Sequence, residues 1–448
     1  MRHKLMEAMD EISDTYLAEA ASVPIKKRKP QFLYAIAAAA AVFILIFSII
    51  LPISPNASAV AVAKYPGTTD LQYRIQAEPI EPALLQSFVN RSSAVLLADD
   101  HNNVVYSPLN LYNALSMLAE CTGGNSRDQL LTLLDAENMS SLRQNTSALW
   151  KSIYWDDGSD ARLLANSLWL DEDISCHQGT ANLLAQNYYA STYRADFGSP
   201  EGNQQLQTWL NEQTENLLQQ QAATETLPPN GILALSSTVY YHASWLEPFD
   251  AAQNVEGFFH GSSGEEACTY VTKEDLFTQH YQADNFTAIT LPLTDGSTMW
   301  LILPNEGSSA ADAAANPQLS AMFAAQYDYP TISSALVHLQ MPKFDVSSQL
   351  DLKENLQKLG VTDIFDSRSS DFSTMFPGQT DLFLDKVSHA NRVTLDENGV
   401  SAASYTLAAI CGAALPETQI DFILDRPFLF AVTTNGHPLF MGVINTMQ

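Results

Sequence analysis

Residues 399–416 read GVSAASYTLAAICGAALP, and what this stretch can do decides the fold. It carries no charge, and its only proline is its last residue. It is about as long as two average strands, yet it is rich in Ala and Ser, which fill a packed interior poorly. On strand alternation Val400, Ala402, Ser404, Thr406, Ala408 and Ile410 share one face. Ser401, Ala403, Tyr405, Leu407, Ala409 and Cys411 share the other. Small residues at the start and the absence of charge let such a segment enter a sheet as an extra strand. A proline would remove a ladder donor, and a charge on the inner face would have to be desolvated.

Working outward, the flanking chain supplies a sheet for it to enter. Strand-like runs are 165–170, 233–241, 288–292, 299–303, 336–344, 382–396, 428–434 and 439–444. The last two are joined by Asn435-Gly436, a hairpin turn signal. Helical periodicity appears at 83–97, 108–118, 128–134, 180–193, 204–221 and 350–359. The helix after Ser107-Pro108 starts well, because Ser can cap it and Pro at the first position lacks only a donor that would be unpaired anyway. Helices dominate early and strands late, with no internal repeat or linker after about Ala83. This predicts a single large α+β domain over residues 83–448.

The whole chain has 448 residues, 46% of them hydrophobic, so a sizeable buried core is expected. With 22 Lys+Arg against 50 Asp+Glu, the net charge of -28 argues against a nucleic-acid partner. Basic residues do cluster once, at Lys26-Lys27-Arg28-Lys29, directly before FLYAIAAAAAVFILIFSIILPI at 32–53. That run has no charge and is close to the ~20 residues a helix needs to cross a bilayer. Its basic flank predicts a cytoplasmic N-terminus and everything after Pro55 outside. The predicted plan is a short cytosolic segment at 1–31, a transmembrane helix at 32–53 and an extracellular tether at 54–82. An alternative is secretion after signal cleavage near Ala59, since Asn56-Ala57-Ser58-Ala59 offers an A-x-A site.

Enzyme signatures are missing. The chain has no HExxH, G-x-S-x-G, GxGxxG or Walker loop, and its histidines show no metal-ligand spacing. Four cysteines (Cys121, Cys176, Cys268, Cys411) form no CxxC pair, so neither a zinc site nor a disulfide framework is expected. No cofactor is expected. A surface hydrolase remains a rival reading, because the members of a nucleophile triad need not be neighbours in sequence.

Several motifs, in order along the chain, are similar to those of the serpins, the serine protease inhibitors. Asn103-Val104-Val105-Tyr106-Ser107-Pro108 resembles the opening of the family's signature, followed by Gly124, Ser126 and Gln129. Residues 235–245 (LSSTVYYHASW) resemble the strand leading to the family's tryptophan, here Trp245. Met341-Pro342-Lys343-Phe344, Leu359-Gly360-Val361 and Asp371-Phe372-Ser373 match later segments. Asp396-Glu397-Asn398-Gly399 resembles the hinge that precedes the family's bait loop, and Arg426-Pro427-Phe428 and residues 438–442 close the chain in family style. The resemblance runs from about residue 83 to the end, and with the predicted span it is to a bacterial-type, membrane-anchored member.

The resemblance implies a serpin fold of three β-sheets and about eight to nine helices with an exposed reactive-centre loop. It implies a suicide inhibitor and not an enzyme, a monomer whose partner is a serine protease. The protease attacks the loop and becomes an acyl-enzyme; the cut loop then inserts into the main sheet and drags the protease along. About 14 inserted residues span about 46 Å, enough to carry the captive far from its docking site. Misplacing catalytic groups by even 1 Å costs on the order of 100-fold in rate, which traps the ester.

On this resemblance the hinge is Glu397, Gly399, Val400, Ser401, Ala402 and Ala403. The scissile bond, sixteen positions beyond Glu397, is Ala413–Ala414. The rest of the loop is Ser404, Tyr405, Thr406, Leu407, Ala408, Ala409, Ile410, Cys411, Gly412, Leu415 and Pro416. Small residues at the cut suit elastase-like or subtilisin-like proteases with shallow apolar pockets, and no Lys or Arg is offered to a trypsin-like enzyme. Ser107, Asn110, Ser237 and His389 match the shutter where the sheet parts, and Trp245 the breach where insertion begins. Val400 departs from the usual Thr or Ser, and Asn110 and Ser237 exchange the usual Ser and Asn. That exchange keeps one amide and one hydroxyl for a polar network with the imidazole and backbone. Cys411 reads as a small apolar contact and Cys121 as buried and inert. A noninhibitory binding or chaperone role is the alternative.

Overall fold

A computed structural model describes residues 58–65, 80–325, 332–384, 387–400 and 418–447. The first elements are β1 (Ser58–Ala61), α1 (Gln86–Leu96), β2 (Val104–Tyr106), α2 (Pro108–Cys121), α3 (Gly124–Leu133), α4 (Met139–Ile153), β3 (Trp155–Asp156) and β4 (Ala161–Asp171). Then come α5 (Gln178–Asn187), β5 (Ala190–Ala195), α6 (Pro200–Gln213), α7 (Gln219–Ala222), β6 (Leu233–Ser244), β7 (Val255–Gly261), β8 (Gly264–Gln282), β9 (Phe286–Pro292) and β10 (Thr298–Pro304). The last are α8 (Ala310–Ala314), α9 (Gln318–Phe323), β11 (Ile332–Pro342), β12 (Phe344–Asp351), α10 (Lys353–Lys358), β13 (Ser388–Leu395), β14 (Gly399–Val400), β15 (Gln419–Ile423), β16 (Phe428–Thr434) and β17 (His437–Ile444).

The main sheet runs β1-β5-β4-β6-β14-β13-β12, with β3 beside β4. A nine-stranded ladder runs β15-β11-β8-β9-β10-β16-β17-β2, with β7 beside β8. Strand β8 joins two halves of that ladder, pairing with β7 over Gly264–Tyr270 and with β9 over His280–Gln282, so the ladder is two sheets sharing a strand and the total is three. Ten α-helices among the described residues, several of one turn only, where about eight to nine were expected, complete the α+β architecture.

Helix α2 is the keel. The Ser107 hydroxyl accepts from the Asn110 N–H, Pro108 occupies the first turn, and nearly every residue of the helix is buried. A helix that is apolar on all sides belongs inside, and this one packs between β6 and β17. The hairpin β16–β17 is closed by Asn435 and Gly436 at φ 53° and 80°, as the Asn-Gly signal required.

Several expectations are corrected. The helix expected over 180–193 stops at Asn187; Tyr189 turns the chain at φ 51° and the β-forming run after it becomes β5. Residues 382–384 are irregular rather than strand, and β12 continues to Asp351 before α10 begins. Helix α4 and strands β8 and β15 were not expected. Within the expected extracellular tether, Ser58–Ala61 form the edge strand of the main sheet. β1 pairs antiparallel with β5, the Ala63 N–H donates to the Ser191 hydroxyl at 3.1 Å, and Tyr65 stacks on Trp150 at 5.9 Å. Buried Ala61 and Ala63 alternate with exposed Val62 and Lys64, the pattern of a half-buried strand. No helix among the described residues is long and apolar enough to cross a membrane. The expected span at 32–53 lies outside them, as does the cytosolic segment.

Candidate functional site

The main sheet is closed at one end and open below. Among the described residues strands β6 and β13 are bridged only by β14: Val400 pairs with Ala243 on one side and Leu395 on the other. Below that bridge lies a cavity of about 550 Å³. Its walls are Leu235, Ser236 and Thr238 of β6 and Ser388 and Ala390 of β13, with Leu206 and Leu210 of α6 lining it too. Below Val400 no described strand pairs with either of these facing edges, whose N–H and C=O groups another strand can use.

The mouth of this slot is tightly built. Gly399 can only be glycine: a Cβ there would sit 2.4 Å from the Ala243 carbonyl oxygen. The Trp245 N–H donates to the Asn398 carbonyl at 3.1 Å, its indole N–H donates to the Asp396 carbonyl at 2.8 Å, and the ring is buried edge-on to Phe249. The Phe249 N–H donates to the Glu397 carbonyl. Lys343 pairs with the Glu397 carboxylate at 3.0 Å. That carboxyl is held below its ordinary range, first by a backbone N–H and then by Lys343. Hinge and tryptophan thus form one cluster at the point where β14 enters.

Lower down, the first turn of α2 ties the slot's two walls together from the core side. The Ser107 N–H donates to His389 Nε2 at 3.1 Å, which holds β13. Asn110 Nδ2 donates to the Ser237 carbonyl at 2.7 Å, and the Ser237 hydroxyl donates to the Asn110 amide oxygen, which holds β6. The exchanged amide and hydroxyl therefore bond each other, and the imidazole accepts from backbone. The Ser237 hydroxyl also reaches Asn166 Oδ1 at 2.6 Å, and Asn166 Nδ2 donates to the Tyr188 carbonyl at 2.8 Å. Burial pushes His389 down to about 4, so it stays a neutral acceptor.

Asn166 joined the site without being singled out in the sequence, and Lys343, read there only as part of the Met341–Phe344 motif, joined it as the partner of Glu397. Asn166 and Ser167 interrupt the apolar run Leu163–Leu170 of β4, the one signal available for Asn166. Ser401, Ala402, Ala403 and the bait loop from Ser404 to Pro416, with Ala413 and Ala414, lie outside the described residues. Cys121 is fully buried, and burial pushes its thiol up to about 12, which leaves it unreactive. Among the described residues no group of His, Cys, Asp and Glu could hold a metal ion.

Three comparisons with known proteins bear on this slot. The family model for "Serpin (serine protease inhibitor)" matches residues 86–447. Serpin-ZXA of Oryza sativa subsp. japonica is 28% identical over 390 residues, covering 81% of this chain and 96% of the relative. Leukocyte elastase inhibitor of Xenopus laevis is 26% identical over 351 residues, covering 76% and 92%. The solved structure of tengpin, a thermophilic serpin in its native state, superposes with a TM-score of 0.73 at 21% identity, covering 87% of this chain and 99% of tengpin.

Proposed function

The chain belongs to the serpin family, inhibitors and not enzymes, and we propose that it is a suicide inhibitor of serine proteases whose cut loop fills the slot between β6 and β13. The observation that carries the reading is β14: Val400 is already paired with both walls and Gly399 with β6. Extending that register six residues brings Thr406 between Ser237 and His389, on the same core face as buried Val400. Ala402, Ser404, Ala408 and Ile410 share that face, small or apolar throughout, and none brings a charge to desolvate. Tyr405 falls on the opposite face, toward α6.

The cut is proposed at Ala413–Ala414, and the targets are elastase-like or subtilisin-like enzymes. The protein acts as a monomer outside the cell, held by the span at 32–53 with its N-terminus in the cytoplasm. Retention of the anchor is supported by β1: cleavage near Ala59 would divide this strand. Incubation with a panel of serine proteases tests the function. An SDS-stable adduct with an elastase-like enzyme, and mass-spectrometric assignment of the cut to 413–414, are expected. Turnover of the loop without any adduct would instead favour the noninhibitory role.

A further inference from the structure

The slot is roofed. Between α6 and β6, residues 214–232 run over the outer face of the sheet, and their Leu218, Ala222 and Glu225 line the cavity beneath. On the α6 side this strap is fastened to its own helix: Gln207 Nε2 donates to the Glu225 carbonyl at 2.8 Å, and the Leu227 N–H donates to Asn203 Oδ1 at 2.7 Å. On the far side it is fastened to β12 and β13. The buried Glu225 carboxylate accepts from the Ser388 hydroxyl and from Gln349 Nε2. The Thr224 hydroxyl donates to Gln349 Oε1 at 3.1 Å, and Arg392 Nη1 donates to the Leu217 carbonyl at 3.2 Å. Ser388 and Arg392 alternate along β13 with buried His389 and Asn391, so they stand on its outer face.

We infer that Glu225 is the clasp of this strap, a gating residue that must let go of Ser388 and Gln349 before the lower slot can fill. The inference rests on loop insertion as the mechanism. A loop whose free end carries a protease cannot be threaded beneath a strap fastened on both sides. It can only pass if one side opens, and the β12–β13 side is held by side-chain bonds that can break without unfolding α6. A carboxylate accepting two hydrogen bonds while buried is a strong clasp in its closed state and costs little once water can solvate it. Clasp lifetime therefore sets how fast the strand zips down, and so how many loops trap a protease before water releases it.

The test compares the full chain with Glu225→Ala and Glu225→Gln, reading both the number of inhibitor molecules consumed per protease trapped and the rate of insertion after cleavage. Faster insertion, by about 10-fold for Glu225→Ala and less for Glu225→Gln, is expected, because Gln keeps one acceptor oxygen. If Glu225→Ala fails to fold, Ser388→Ala opens the clasp from the other wall. The converse variant carries Thr224→Cys and Gln349→Cys, with Cys176, Cys268 and Cys411 replaced by Ser, joined by a short reducible thiol cross-linker. Cross-linked, it is cleaved without trapping, and reduction restores trapping. An insertion rate unchanged in Glu225→Ala, or trapping by the cross-linked protein, overturns the clasp while leaving the inhibitor reading intact. A parent chain that traps no protease overturns both.

Discussion

The two ends of the slot are built from the same pair of strands and differ in everything that fills them. At the mouth, β14 bridges β6 to β13, Gly399 admits no side chain, and Trp245 is bonded to the hinge backbone. Further down, the walls face a cavity and are tied only indirectly, by the first turn of α2 from the core side and by the strap from outside. The difference teaches where the driving force resides. On the proposed mechanism the mouth has already gained its ladder bonds, and the lower walls gain theirs when the cut loop enters.

The sharpest way to break this contrast is to make the mouth unable to accept its own strand. Val400 is buried, and Val400→Arg would place a charge on the core face at a cost of several kcal/mol. Gel analysis with the target protease should show the loop still cut and at least tenfold less adduct formed. Equal adduct would mean that β14 does not lead the insertion.

Next in size is the tryptophan that frames the mouth. Trp245→Ala removes a buried ring and the donor to the Asp396 carbonyl, and should cost about 3–5 kcal/mol by denaturant unfolding. A loss below about 1 kcal/mol would show that the mouth is held without it.

Acid probes His389 at the lower end together with His437, which lies in β17 of the other ladder. His389 and His437 are both pushed down to about 4 by burial, against about 6.5 when unfolded. Both are therefore neutral in the folded chain while the unfolded chain takes up protons. Stability is fully present above pH 6.5 and is lost as pH falls from 6.5 to 4, on the order of 3 kcal/mol per histidine. Unfolding titrations across that window should show the loss, and His389→Asn should reduce its slope. A flat profile would place the imidazole in contact with water.

The smallest effect belongs to the ion pair at the mouth. Lys343 and Glu397 are each partly solvated, so Lys343→Met should change stability by no more than about 1 kcal/mol. A larger loss, read by thermal unfolding, would make the pair a structural lock rather than a guide for the hinge.

Much of this architecture was legible because local signals and tertiary demands agreed. The Ser107-Pro108 cap and the Asn435-Gly436 turn each state their structure in a few residues. The shutter side chains were named through a resemblance, yet their actual bonds were not foreseeable: Asn110 and Ser237 meet because α2 crosses β6 there. Strand β8 escaped because its inward positions include Thr278 and His280, which become buried only when β9 and β11 flank them. Helix α4 escaped because Ser, Thr and Asn fill so many of its positions. Its start is nevertheless written in Asn138, which caps it reciprocally with Ser141. The strap's clasp lies at pairs such as Glu225 and Ser388, 163 residues apart, and no spacing rule reaches that far.

The most direct test of stored ladder bonds is to nick the purified protein once, between Ala413 and Ala414, and compare melting temperatures. Filling the slot adds ladder bonds along both walls at about 1 kcal/mol each, so the nicked form should melt more than about 20 °C higher than the intact one. A nicked protein that melts at the same temperature, or lower, would contradict the account.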